Sequence, residues 1–180
     1  GEGVFIEFNK AALSRWLDIA SVKALSQRYE ECYEEFCVSK GWTLNIKRNA
    51  IYVLMHTFAH LLIKQMSMAS GYSSSAIRER IYFNEKMTGI LLYTGSADKE
   101  GSLGGLVELG NINKLVPLMK DAFQEALLCT NDPECMSNVP AGNNLNGAAC
   151  HSCCMISETA CENGNRMLDR GLVVPIALRE

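Results

Sequence analysis

Several things this chain does not have narrow its class. No apolar run reaches the roughly 20 residues that a membrane-crossing helix needs. The longest, IYVLMHTFAHLLI at 51–63, is interrupted by two histidines. The chain opens on Gly1 and goes straight into GEGVFIEF, with no charged-then-apolar segment ahead of it. That is the expectation for a piece of a longer protein without a secretory signal. No internal repeat, low-complexity tract or linker is visible. An excess of positive charge is also missing, since 17 basic residues face 20 acidic ones for a net charge of −3. A surface that coats DNA unaided would be strongly basic, whereas here the basic residues are scattered as Lys47–Arg48, Arg78/Arg80 and Arg166/Arg170. What remains is a cytoplasmic, soluble domain without membrane contact, and any contact with nucleic acid is expected to be local or shared with a partner.

The usual catalytic signatures are incomplete as well. GSLGGLVELGN at 101–111 lacks the Gly-Lys-Ser/Thr ending of a phosphate-binding loop and the full dinucleotide fingerprint. Its glycines suit a tight strand-to-helix turn. His56 and His60 stand one helical turn apart with Lys64 a further turn on, a polar stripe on an apolar helix. Two histidines at that spacing can share a metal, but the run is His-Thr-Phe-Ala-His, without the glutamate that serves as base in zinc hydrolases. Two readings stand. One is a buried pair hydrogen-bonded to backbone or to carboxylates such as Asp98 or Glu100. The other is a metal-dependent hydrolase or nuclease using His56 and His60. No arrangement for nucleophilic catalysis is readable from residue order, and no catalytic residue or small-molecule substrate is assigned.

With 48% hydrophobic and 21% charged residues, 180 residues supply one core. VFIEF reads as a strand, followed by a helix through KAALSRWLDIA capped by Asn9. Ser21 is placed as the cap of a second helix that stops at Gly41, with Val22, Leu25, Tyr29, Cys32 and Phe36 on its buried stripe. Cys32 and Cys37 are therefore small core residues. Residues 48–70 form the most apolar helix, central to the core. IRERIYF is a helix end or a strand, GILLYTG a strand, and INKLVPLMKDAFQEALLCT an amphipathic helix. From 129 to 161 the character turns loop-like, and a last helix carries CENGNRMLDRGL. The fold class is α+β: a helix-dominated single domain, 1–180, with a small β-sheet and a C-terminal cysteine-rich zinc knuckle. It divides into a helical/β core at 1–128 and a zinc-binding segment with the last helix at 129–170.

Six of the eight cysteines follow residue 128. Cys150-His151-Ser152-Cys153 is a Cys-x-x-Cys knuckle, whose spacing turns two thiolates onto one tetrahedral ion. Cys129 and Cys135 make a looser pair around NDPE. The four-ligand set for a structural Zn2+ is thus Cys129, Cys135, Cys150 and Cys153, with Cys161 as the substitute if one of these points away. Cys154 follows a knuckle cysteine directly and leaves the site, and His151 lies behind the ligands or faces solvent. A disulfide framework suits a small secreted chain, and a redox pair wants its knuckle at a helix start after a strand. This chain is larger and keeps two cysteines on a helix stripe, and its knuckle sits in a loop, so the metal reading leads and these two stand behind it.

With these residues in view, the chain resembles the C-terminal domains of DrmB-like subunits of the DISARM anti-phage defence systems. These form an MrfA-like zinc-binding class shared with MrfA-type DNA-repair helicases. The stretches that carry the resemblance are GEGVFIEF, LMHTFAHLLI, IRERIY, ILLYTGSADKEGSLGGLVELG, CTNDPEC and LNGAACHSCCMISETACENGNRMLDR, together spanning residue 1 to about 170. The resemblance implies a non-catalytic zinc scaffold in a subunit that works with a DrmA-like superfamily 2 helicase, with DNA engaged through the complex and ATP hydrolysis left to the helicase. It also implies four cysteine ligands ending in Cys-x-x-Cys. That pattern falls on Cys150 and Cys153, and with a stretched spacing on Cys129 and Cys135.

Overall fold

The computed structural model describes residues 1–44, 46–95 and 105–178. Strand β1 (Gly3–Glu7) leads into helix α1 (Lys10–Leu17), where Asn9 Oδ1 accepts the Ala12 amide at 2.9 Å. Helix α2 (Ala20–Lys40) begins two residues earlier than Ser21 would allow as a cap. Ile19 holds the capping position without a side-chain bond, and Ser21 lies within the first turn. The helix ends as expected on Gly41, whose φ of 69° is open to glycine at little cost. Ser26, Tyr29, Cys32, Phe36 and Cys37 form its buried face, so both helix cysteines are core residues.

Helix α3 (Ala50–Ser70) is the hub. Asn49 caps it, Gly71 ends it, and sixteen of its 21 residues are buried. It packs against α1 and α2, against the sheet, and against three later helices. The sheet consists of β1, β2 (Ile77–Phe83) and β3 (Thr88–Thr94), all antiparallel, in the order β1-β3-β2. IRERIYF is therefore a strand, paired residue for residue with β3 from Ile77↔Thr94 to Phe83↔Thr88. Because side chains alternate along a strand, Arg78 and Arg80 face solvent while Ile77 and Glu79 point inward.

Helices α4 (Gly105–Leu109) and α5 (Ile112–Glu125) follow, and the rings of Phe58 and Phe123 stack 5.3 Å apart where α3 meets α5. Cys129 lies beyond the end of α5 rather than within it. A single turn, α6 (Glu134–Ser137), carries Cys135. No helix starts at Cys161. Residues 161–169 form successive turns, and helix α7 runs only from Arg170 to Ala177. Gly164, Asn165 and Met167 take φ values of 57°, 57° and 65°, in the left-handed region that no right-handed helix accommodates. Asn165 is held there by accepting the Ile156 amide at 3.0 Å and donating to the Ile156 carbonyl at 2.7 Å. Among the described residues no helix is long and apolar enough to cross a membrane.

Asp169 fastens the end of this segment to the core. Its Oδ2 accepts the Tyr29 hydroxyl at 2.6 Å, and its Oδ1 accepts the amides of Ala148 and Gly171 at 3.0 and 2.7 Å. Residue 147 must be glycine for this to close, since a Cβ there would lie 2.2 Å from the Asp169 carboxylate and 2.5 Å from the Tyr29 oxygen. Burial, followed by the Asp169 charge, pushes the Tyr29 hydroxyl well above its ordinary pKa, so it stays a donor. Replacing Tyr29 with Phe keeps the ring and removes the proton that serves a buried carboxylate. The expected loss is about 2 kcal/mol of unfolding free energy, read as a lowered denaturant midpoint with an unchanged slope.

Candidate metal centre

The cysteine-rich segment brings four sulfurs together. Cys129 and Cys150 have Sγ atoms 3.5 Å apart, Cys135 and Cys153 3.7 Å, and Cys150 and Cys153 3.7 Å. All four sulfurs lie within 4.8 Å of one another. Zinc–sulfur bonds of about 2.3 Å at tetrahedral angles give an S–S edge of about 3.8 Å. The cluster therefore has the size of a four-thiolate zinc cage, and its donors have the softness that selects zinc over the hard cations.

Local backbone chemistry explains the shape. In the knuckle, the Cys150 carbonyl accepts the amides of Cys153, Cys154 and Met155 at 3.2, 3.0 and 3.1 Å, curling the chain around it. The Cys150 amide in turn donates to Cys153 Sγ at 3.3 Å. On the other arm, the Asn131 amide donates to Cys129 Sγ and its Nδ2 to Cys150 Sγ, each at 3.4 Å. Asp132 organises this arm: Oδ2 accepts the Cys129 amide at 3.0 Å, and Oδ1 accepts both the Met136 amide at 3.2 Å and the Arg170 guanidinium at 2.6 Å. Arg170 is fully buried, also donates to the Ala126 carbonyl at 3.0 Å, and puts a permanent positive charge beside Cys135 and Cys153. Burial lifts the Cys135 thiol to about 12. Burial also works against ionisation of Cys150, but the bonds from Asn131, Cys129 and the Ser152 amide outweigh it and bring Cys150 down to about 6.

Cys161 is not brought into this cluster. It joins His56, His60 and Glu79 in a second, wholly buried group whose ligand atoms also lie within 4.8 Å of one another. His56 and His60 face inward from α3 with ring centres 4.4 Å apart. Glu79 faces them from β2, with Oε1 at 3.2 Å from His56 Nε2 and 3.6 Å from His60 Nε2. Cys161 Sγ lies 3.3 Å from His56 Nε2. Burial, then the neighbouring His56 ring, lowers His60 to about 4. Burial would raise Glu79, but the two imidazoles prevail and hold its carboxyl well below the usual range. Asp98 and Glu100, the carboxylates expected beside the histidines, lie outside the described residues. Glu79 is the partner that sequence reasoning missed, and the signal for it was the in-out alternation of IRERIYF once that run is a strand. Lys64 completes the stripe by donating to the Cys153 carbonyl. Cys154 is fully buried and stands outside both groups of donors, while His151 is exposed.

Residues 58–154 match the family model of the MrfA Zn-binding domain. That span holds all four clustered cysteines, and of the second group it holds His60 and Glu79 but not His56 or Cys161. Over 176 residues the chain is 55% identical to the DISARM protein DrmB of Bacillus paralicheniformis, which is 97% of this chain and 31% of that protein. The chain thus spans about a third of that relative's length. The family and the sulfur cage together support a zinc ion.

Arg170 is the residue whose loss tests how this arm is held. In Arg170→Met, Asp132 loses its cationic partner and the Ala126 carbonyl its donor. The expected outcome is amide exchange at Cys129 and Met136 faster by at least about tenfold, with exchange in the β2–β3 ladder unchanged.

Proposed function

This chain belongs to the MrfA Zn-binding domain family, and on that premise we propose that it is the zinc-stabilised, non-catalytic scaffold of a DISARM-type defence subunit. In this reading Cys129, Cys135, Cys150 and Cys153 hold the ion, and the subunit acts with a DrmA-like superfamily 2 helicase on foreign DNA. The observation that carries it is the closed sulfur cage, which ties the loop after α5 to the knuckle ahead of α7. Bound there, zinc supplies a cross-link and positive charge against the thiolates, worth on the order of 10 kcal/mol in structural sites of this kind. That is comparable with the whole stability of an ordinary domain, so the irregular run from 129 to 169 depends on it.

The alternative, a hydrolase or nuclease built on His56 and His60, requires an open ligand position for water and substrate. His56, His60, Glu79 and Cys161 are all buried, which supports a structural role instead. DNA contact is assigned to the complex, in keeping with the net charge of −3 and the salt-dependent cost of holding phosphates without a basic surface.

The test uses the full-length subunit with Cys150→Ser and Cys153→Ser. Each is expected to lose one zinc equivalent by elemental analysis, to lose amide protection between 129 and 169, and to stop co-purifying with the helicase subunit. Unchanged zinc content in both variants would remove the ligand assignment. A divalent-metal-dependent cleavage of DNA or nucleotide by the purified subunit, lost in His60→Ala with the fold retained, would replace the scaffold by an enzyme.

A further inference from the structure

The second buried group has a polarity problem that hydrogen bonds alone do not solve. His56 Nδ1 lies 3.2 Å from the Met167 carbonyl, and His60 Nδ1 lies 2.8 Å from the Cys154 carbonyl. A carbonyl can only accept, so each ring carries its proton on Nδ1, and each neutral ring turns the lone pair of Nε2 inward. The two lone pairs meet a carboxylate and a sulfur. His60 Nε2 and Glu79 Oε2 have no hydrogen-bond partner among the described residues, although both side chains are fully buried. A proton on Cys161 Sγ, or a second ring proton on His56 Nε2, satisfies one contact among His56, Cys161 and Glu79 Oε1. It still leaves His60 Nε2 facing Glu79 Oε1 at 3.6 Å with no proton between them. Buried acceptors without donors cost kilocalories each, and here several converge on one point.

We propose that His56 Nε2, His60 Nε2, Glu79 and Cys161 Sγ bind a second zinc ion, distinct from the one assigned to the four cysteines. A cation at the point of convergence satisfies every inward lone pair at once. The dimensions suit it, because zinc bonds of about 2.0 Å to nitrogen or oxygen and 2.3 Å to sulfur give N–O edges of about 3.3 Å and N–S edges of about 3.5 Å. The corresponding separations are 3.2 and 3.6 Å for nitrogen to oxygen and 3.3 Å for nitrogen to sulfur. Two imidazoles, one carboxylate and one thiolate form a mixed donor set suited to zinc and poorly suited to magnesium or calcium. The Nδ1–H bonds to backbone carbonyls are the arrangement that fixes the tautomer and orientation of metal-bound histidines. With four protein donors and no opening to solvent, the site is structural. It staples the sheet edge and the 160–169 turns to α3.

The fold delivers these donors from three separate places, which argues against chance crowding. The histidines are one turn apart on the most buried helix. Glu79 is the inward-facing acid of β2, the edge strand. Cys161 is set beside it because the chain runs along that edge, where the Ala160 carbonyl accepts the Glu79 amide at 3.2 Å and the Glu162 carboxylate accepts the Ile81 amide at 3.0 Å.

Zinc content of the full-length protein, purified from zinc-supplemented medium, tests this directly. Wild type should carry about two equivalents attributable to this chain. Glu79→Gln, His60→Ala and Cys161→Ser should each lower the count by about one, and Cys150→Ser should remove the other. Because a buried variant can fail to fold, zinc K-edge absorption on the wild type alone supplies a second measurement. The two sites together predict a mean first shell of about five sulfurs to three nitrogen or oxygen donors. A purely sulfur shell with one equivalent overturns the second site and leaves the four-cysteine site standing. A mixed shell of mainly nitrogen and oxygen with one equivalent overturns the four-cysteine site instead.

Discussion

The structure depends on one polar stripe buried in an apolar helix. His56, Thr57, His60 and Lys64 occupy successive positions along one side of α3. Each makes a hydrogen bond to the backbone of the cysteine-rich segment: to the Met167 carbonyl, the Asp169 amide, the Cys154 carbonyl and the Cys153 carbonyl respectively. Buried polar groups are tolerated only when paired, and these side chains find their partners in a stretch of chain that has little regular structure to satisfy its own backbone. The need is mutual. An irregular segment of some forty residues cannot lie on a core without such partners, and α3 could not bury the stripe without the segment.

The arrangement also joins the two groups of donor atoms through consecutive residues. Cys153 contributes its sulfur to the four-cysteine cage, while the next residue, Cys154, contributes the carbonyl that holds His60. On the opposite side, Asp169 takes the Tyr29 hydroxyl and the following residue, Arg170, reaches Asp132 below Cys129. The knuckle is thus fixed by backbone bonds to α3, and Asp169 is fixed twice, by its carboxylate on Tyr29 and by its amide on Thr57. Arg170 has an electrostatic part as well. With a divalent ion bound, four thiolates would leave net negative charge, and the buried guanidinium beside them would lower the cost of placing that charge in the interior.

Much of this was legible from residue spacing, because the information was local. Knuckle geometry lies within Cys150–Cys153, the cap at Asn9 sits beside the helix it starts, and the apolar density of 51–63 marks a central helix. Two errors share a different cause. RMLDRGL has the apolar spacing of a helix, but the left-handed residues at 164, 165 and 167 are imposed by the clamp of Asn165 onto Ile156, which spacing does not reveal. Cys161 looked like a spare ligand because it is near Cys150 in sequence. Its position is decided by the pairing of 160–162 with the β2 edge, a long-range contact. Glu79 falls between these cases. It was readable from the alternation of IRERIYF, but only after choosing strand over helix end, and that choice is settled by the ladder with β3.

Saturation of the donor sets bears on the proposed role more than their identity does. A catalytic metal keeps an exchangeable position, and a catalytic histidine needs access to a reacting atom. Here each group offers four protein donors, and those on α3 lie in the tightest part of the core. Four buried protein donors can hold an irregular segment in one shape. That shape is built from loops rather than from helix or sheet, and loops are where recognition surfaces are usually placed. The useful product of such a domain is a loop surface that keeps its form. A buried network of charges, carbonyls and donor atoms anchored on one helix is a direct physical means of obtaining it.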